Sequence, residues 1–256
     1  MRVRTSIGLS VFALGLGLCP SLFAVSYTWD FTGNAGSNCT GSPTSCSTSA
    51  GNSILFSASP SGPSIKATAW YVNGTTGSST LQKATLGQYS QGLGVCYPGE
   101  NCTNPDHQTD NNAFDEYVLF EFSAPVDPST VHITSTNGGD LDVSYWLGGN
   151  AGQNMNLSGL TTASLSSLGF GAINDNLGTA IGSRDVSLTG GLPSGSVNAI
   201  LFGAKSGDND DYFKIGSMGG TASAVPEPSS VILLFTVAAL GLKLGRRSKP
   251  SPVVSE

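Results

Sequence analysis

Between residues 117 and 122 the chain reads Tyr-Val-Leu-Phe-Glu-Phe. Successive side chains of a strand face opposite sides. Val118, Phe120 and Phe122 therefore share one face and Tyr117, Leu119 and Glu121 the other, which predicts a central strand with one face in the core. Weaker runs predict eight further strands, over 26–31, 53–57, 65–72, 131–135, 141–146, 185–188, 199–203 and 212–215, set apart by Gly, Ser, Thr and Asn. No stretch between 25 and 220 sustains a helical apolar period, and no unit recurs at a fixed spacing. Short strands at uneven intervals predict an all-β fold, an antiparallel β-sandwich of the jelly-roll kind in one domain. The runs 32–51 and 75–80 predict surface loops.

The two ends break this pattern. Arg2 and Arg4 precede an apolar stretch from Ile7 to Leu18, and Ser21-Leu22-Phe23-Ala24 follows. This is the layout of a secretory signal peptide cleaved after Ala24, which implies the Sec translocon and signal peptidase as partners. The stretch is too short for a retained anchor, and the bulky Leu18 ahead of Cys19 argues against a lipoprotein signal. Near the other end, 231–242 carries no charge and Lys243, Arg246, Arg247 and Lys249 follow. Counted from 229 to 244, with Lys243 snorkelling, the segment makes a short transmembrane helix. The basic residues place its end in the cytoplasm and the bulk of the chain outside. The expected organisation is a signal peptide over 1–24, an ectodomain over 25–222, a sorting and membrane segment over 223–247 and a cytoplasmic tail over 248–256.

With the ends set aside, charge and cysteines sharpen the reading. The 256-residue chain has a formal charge of −6, but residues 25–224 hold 15 acidic and five basic side chains, a net −10. Nucleic acid is excluded as a partner, because phosphate contacts need clustered Lys and Arg. Divalent cations and neutral polysaccharide remain compatible. Removal of the leader leaves Cys39, Cys46, Cys96 and Cys102, an even number that predicts two disulfides in an exported chain. Three connectivities exist; pairing Cys39 with Cys46 and Cys96 with Cys102 is the simplest, each bridge contributing roughly 2–3 kcal/mol.

Val225-Pro226-Glu227-Pro228, a short apolar helix and Arg246-Arg247 together resemble the PEP-CTERM sorting signal of Gram-negative bacteria. The resemblance implies processing by the membrane protease exosortase after a transient inner-membrane stage. Pro226, Glu227 and Pro228 would be the recognition element, and Arg246 and Arg247 the stop-transfer element. Two prolines keep such a segment extended and open to an enzyme beside the membrane. The tail beyond Arg247 is longer than the family pattern. Proteins with this address are associated with extracellular polysaccharide, biofilm and floc, so the resemblance implies a cell-surface or matrix location. Residues 92–122, with Gly-Leu-Gly-Val, His107, Asp110-Asn111, Asp115 and an aromatic strand, also resemble other ectodomains that carry this signal.

Candidate chemistry is sparse. His107, Asp110, Asn111, Asp115 and Glu116 crowd before the best strand, and Asp208-Asn209-Asp210-Asp211 precede another. Such oxygen-rich loops suit calcium, which takes six to eight oxygen ligands. The proposed ligands are Asp110, Asn111, Asp115, Asp208, Asp210 and Asp211, in a composite site, since position 12 from Asp208 is Gly219 rather than Glu. Solvated turns are the plainer alternative. Asp140 and Asp142 share a side of a strand continuing to Tyr145 and Trp146. Carboxylates beside an aromatic suit a sugar-binding face and, at suitable separation, a glycosidase. Cys96, Cys102 and His107 lack the common zinc spacings, and no Gly-x-Ser-x-Gly elbow accompanies His107 or His132. Sequons occur at Asn38, Asn73, Asn101 and Asn156. The sequence therefore predicts an exported, exosortase-processed surface or matrix protein with no catalytic role. A calcium-assisted carbohydrate-binding module and a secreted glycosidase are its rivals.

Overall fold

The computed structural model describes residues 24–33, 50–73, 79–100, 108–135, 138–178, 182–188 and 196–223. The chain divides into Val25–Ala222 and a second unit, Met1–Ala24 with Ser223–Glu256. The expected signal peptide before Ala24, the membrane segment, Pro226, Glu227, Pro228, Arg246, Arg247, Cys39, Cys46, Cys102 and His107 lie outside the described residues. Among the described residues no helix is long and apolar enough to cross a membrane.

The fold is mostly β. Its strands are Ala24–Asp30 (β1), Ser53–Phe56 (β2), Ile65–Val72 (β3), Leu81–Lys83 (β4), Thr85–Tyr89 (β5), Gly92–Cys96 (β6) and Thr109–Asp110 (β7). Asp115–Thr134 (β8), Val143–Gly148 (β9), Asn174–Asn176 (β10), Ser183–Ser187 (β11), Val197–Ala204 (β12) and Tyr212–Ser223 (β13) complete them. They join in one large sheet whose main path runs β10-β9-β12-β8-β13-β6-β5. The sequence separates 117–122 from 131–135, yet both belong to the 20-residue β8. The first part of β8 pairs antiparallel with β3 and β12, and the last part with β11 and β13. Pro125 and Pro128 lie between the two runs, and proline donates no ladder hydrogen bond. They are tolerated because the strand changes partners there: Ser123, Ala124 and Pro125 are exposed, and the β13 register shifts opposite Pro128.

The alternation over 115–122 holds, but both faces of this part of β8 are buried. Val118, Phe120 and Phe122 enter the larger apolar cluster, with Trp29, Phe31, Ile133, Phe202, Phe213 and Met218. Phe31 stacks on Phe120 with ring centroids 5.0 Å apart. Tyr117 and Leu119 enter a second cluster with Trp70, Trp146, Leu157, Leu165, Phe170 and Leu201. A strap over 151–170 covers that second face. Its 3-10 helix, Thr162–Leu168, starts with a Thr161–Ser164 capping box and ends at Gly169 in the left-handed region, φ 84°. Lys66 Nζ donates to the Gln153 carbonyl at 2.6 Å, and the Met155 amide donates to Glu121 Oε1 at 2.7 Å, so polar groups anchor the strap where apolar ones stop. At the centre of the sheet, a Cβ on Gly203 would lie 2.0 Å from the Glu116 carbonyl oxygen, so glycine is needed for β12 and β8 to approach.

Candidate functional site

The acidic loops meet around the start of β13. The β7–β13 ladder pairs Asp110 with Tyr212 and Thr109 with Phe213, which brings the loop before β8 against the loop before β13. Asp140 forms a parallel bridge with Asp211, which adds the segment before β9. At the junction Asp211 is fully buried and Asn111 is 1% exposed. Asp211 Oδ1 accepts from the Asp142 amide at 2.8 Å, and Oδ2 accepts from Asn111 Nδ2 at 2.6 Å. The Asp211 amide donates to Asn111 Oδ1 at 3.0 Å, which fixes the orientation of that amide side chain.

Two overlapping triads of carboxylates surround Asp211. Asp140, Asp142 and Asp211 form one and Asp208, Asp210 and Asp211 the other, and within each triad one oxygen per residue lies within 4.8 Å of the others. Asp142 Oδ1 accepts from the Gly178 amide at 2.5 Å, and Asp140 Oδ1 accepts from the Leu141 amide at 2.6 Å. Arg184 donates to the Leu141 carbonyl at 2.6 Å and to Asn176 Oδ1 at 2.7 Å, holding the backbone between the two aspartates. Lys205 Nζ donates to Asp208 Oδ2 at 2.7 Å.

The electrostatics follow from this crowding. Burial, with the neighbouring charges of Asp142 and Asp208, outweighs the two hydrogen bonds and pushes the Asp211 carboxyl from its ordinary 3.8 up to about 7. The Lys205 hydrogen bond holds Asp208 below the usual carboxylate range, and the adjacent Asp208 side chain raises Asp210. Burial lowers the Arg184 guanidinium against the opposing pull of Asp142, Asp140 and Asp211. A divalent cation placed among these carboxylates would reverse the repulsion and draw on several oxygens at once, the donor chemistry calcium takes. Beside the triads lies an open pocket of about 410 Å³ lined by Gly138, Gly139, Asp140, Asp210 and Tyr212.

Of the expected calcium ligands, Asn111, Asp208, Asp210 and Asp211 come together, while Asp110 and Asp115 belong to neither triad. Asp110 Oδ1 accepts from the Asn112 amide, and Asp115 Oδ2 accepts from Ser206 Oγ at 3.0 Å. Asp140 and Asp142, read from the sequence as a separate sugar-binding pair, are part of the same cluster. Their expected aromatic, Trp146, is 3% exposed and packs edge-on against Tyr117 at 5.4 Å, inside the cluster under the strap. The aromatic beside the carboxylates is instead Tyr212. Lys205 and Arg184 went unnoticed in the sequence; isolated bases carry no signal until the fold sets them beside acids. Cys96 is disulfide-bonded, to a partner outside the described residues.

No curated protein and no solved structure matches the chain. Residues 224–249 match the family model of the PEP-CTERM protein-sorting motif. That span contains the Pro-Glu-Pro box, the apolar run and the Arg pair from which the sequence predicted it. The chain thus carries a PEP-CTERM sorting motif, and this motif implies an exported substrate of exosortase.

Proposed function

We propose that this is a cell-surface or extracellular-matrix protein, associated with exopolysaccharide and biofilm, whose ectodomain serves a structural or binding role without catalysis. The observation that carries the reading is the sorting motif over 224–249. A cleavable leader over 1–24, a short membrane helix and a cytoplasmic Arg246-Arg247 complete the route through the inner membrane. In this reading the ectodomain is a jelly-roll-like sandwich with the larger apolar cluster as its filling, and disulfides staple its loops. Replacing Pro226, Glu227 and Pro228 with alanine in the producing organism tests the route. The variant is expected to accumulate uncleaved in the inner membrane, and normal maturation of the variant would contradict it.

A second reading of the ectodomain is favoured by the convergence on Asp211: calcium held by Asp140, Asp142, Asp208, Asp210 and Asp211 supports a glycan in the pocket walled by Tyr212. Binding only to the folded state raises the melting temperature by mass action. Millimolar calcium should raise it by several degrees over EDTA, and an unchanged melting temperature sinks the metal.

A further inference from the structure

Away from the acidic junction, the sheet carries a groove of about 440 Å³ lined by Thr28, Asp30, Thr32, Gln91, His132, Thr134, Gly216 and Ser217. It lies on the side of β1, β8 and β13 opposite the core. Trp29, Phe31, Val131, Ile133, Ile215 and Met218 are buried, and the residues that alternate with them line the groove.

The groove is built around His132. Register sets Asp185 of β11 across from it on one side and Ser217 of β13 on the other. His132 Nδ1 lies 2.7 Å from Asp185 Oδ1, and Nε2 lies 3.5 Å from Thr134 Oγ1. A carboxylate only accepts, so the Nδ1 edge carries a proton and the ring orientation is set, leaving Nε2 for the groove. Opposite His132 the β13 register shifts between Ile215 and Ser217, making Gly216 the extra residue of a bulge. Bulges re-aim the side chains around them. The Gly216 carbonyl accepts from the Phe31 amide at 2.9 Å, which ties β1 to this bulge as the other wall. Asp30 Oδ1 accepts from the Thr32 amide and hydroxyl at 2.8 and 2.7 Å, which fixes the rim.

The lining selects a ligand class. Among the described residues its lining holds no Lys or Arg to attract a phosphate or an acidic sugar and no aromatic or aliphatic floor to hold a lipid. Hydroxyls, an amide, an imidazole and one carboxylate offer interleaved donors and acceptors, which suits a ligand bearing many neutral hydroxyls. We propose that this groove binds a sugar unit of a neutral polysaccharide, with His132 Nε2, Thr134 Oγ1 and Ser217 Oγ as its central hydrogen-bonding groups. The site is independent of the carboxylates around Asp211 and needs no metal.

The test is calorimetric titration of the full-length chain, in a non-glycosidic detergent, with neutral gluco-, galacto- and manno-oligosaccharides in EDTA. Saturable binding to at least one is expected, weakened roughly tenfold by His132→Ala and by Thr134→Val, each removing one ligand hydrogen bond. Thr134→Val keeps the side-chain shape, so a loss of binding without a change in melting temperature reports on the groove rather than the fold. Absence of binding to every oligosaccharide overturns the proposal, as does a Kd that neither substitution moves or that requires calcium.

Discussion

Replacing Asp211 with asparagine separates what this side chain does as a hydrogen-bond acceptor from what it does as a buried charge. The folded state holds the Asp211 proton up to about pH 7, whereas the ordinary value is 3.8. A raised folded pKa stabilises the native state fully below the ordinary value, and that stabilisation is lost as pH rises through the folded value. Each pH unit of the interval corresponds to about 1.4 kcal/mol, so the ceiling is about 4 kcal/mol. Asp211→Asn removes this dependence at a fixed cost. Its Oδ1 can still accept from the Asp142 amide, but its Nδ2 then faces Asn111 Nδ2, donor against donor. Asn111 cannot turn over, because its Oδ1 already accepts from the residue 211 amide. The buried mismatch costs about 1–2 kcal/mol. In urea unfolding of residues 25–222 in EDTA, the variant should be less stable than the parent at pH 4. The gap should close near pH 5, and the variant should be the more stable by pH 8. Asp115, Glu116 and Glu121 are also raised, chiefly by burial, but they titrate in both proteins, so the difference between the curves isolates residue 211. Parallel curves from pH 4 to 8 would refute the reasoning.

Other substitutions test the packing and the strap. Gly203→Ala drives a methyl group into the Glu116 carbonyl; it should cost about 1–3 kcal/mol and lower the melting temperature by at least about 2 °C, and an unchanged melt would contradict the close approach of β12 and β8. Leu165→Ala empties a site that is 1% exposed beneath the strap; a loss of about 2–5 kcal/mol in chemical unfolding is expected, and a loss near zero would mean that the strap does not seal the second cluster. Glu121 is fully buried, and its Oε2 has no hydrogen-bond partner. Because burial raises its folded pKa, Glu121→Gln should gain stability relative to the parent as pH increases, and a relative loss would invert the argument.

Much of the ladder was legible because alternation survives wherever one strand face differs from the other. Val118, Phe120 and Phe122 were assigned to one side from sequence alone and lie together in the larger cluster. The burial of Tyr117 and Leu119 was not legible, since nothing near 117–122 announces that a strap 30 residues later will cover them. Strands β4 to β7 and β10 are short or rich in Gly and polar residues, so they carry no periodic signal. Two prolines concealed the continuity of β8. At the acidic junction, each cluster was visible as a run of Asp and Asn. Their common partner was not, because the Asp140–Asp211 bridge joins positions 71 residues apart and depends on strand order. Trp146 looked like a platform for a sugar because an aromatic near carboxylates in sequence need not be near them in space; along β9 it turns under the strap.

The central claim, that this chain is an exported substrate of exosortase, is tested most directly by mass spectrometry of the protein recovered from the surface and medium of the producing organism. The account predicts a mature species that has lost residues 1–24 and has been cut at the Pro226-Glu227-Pro228 box, with no peptide containing Arg246 or Arg247. Deleting exosortase should restore those C-terminal peptides in the inner-membrane fraction. Surface or secreted protein with an intact end through Glu256, or identical maturation without exosortase, would contradict the account.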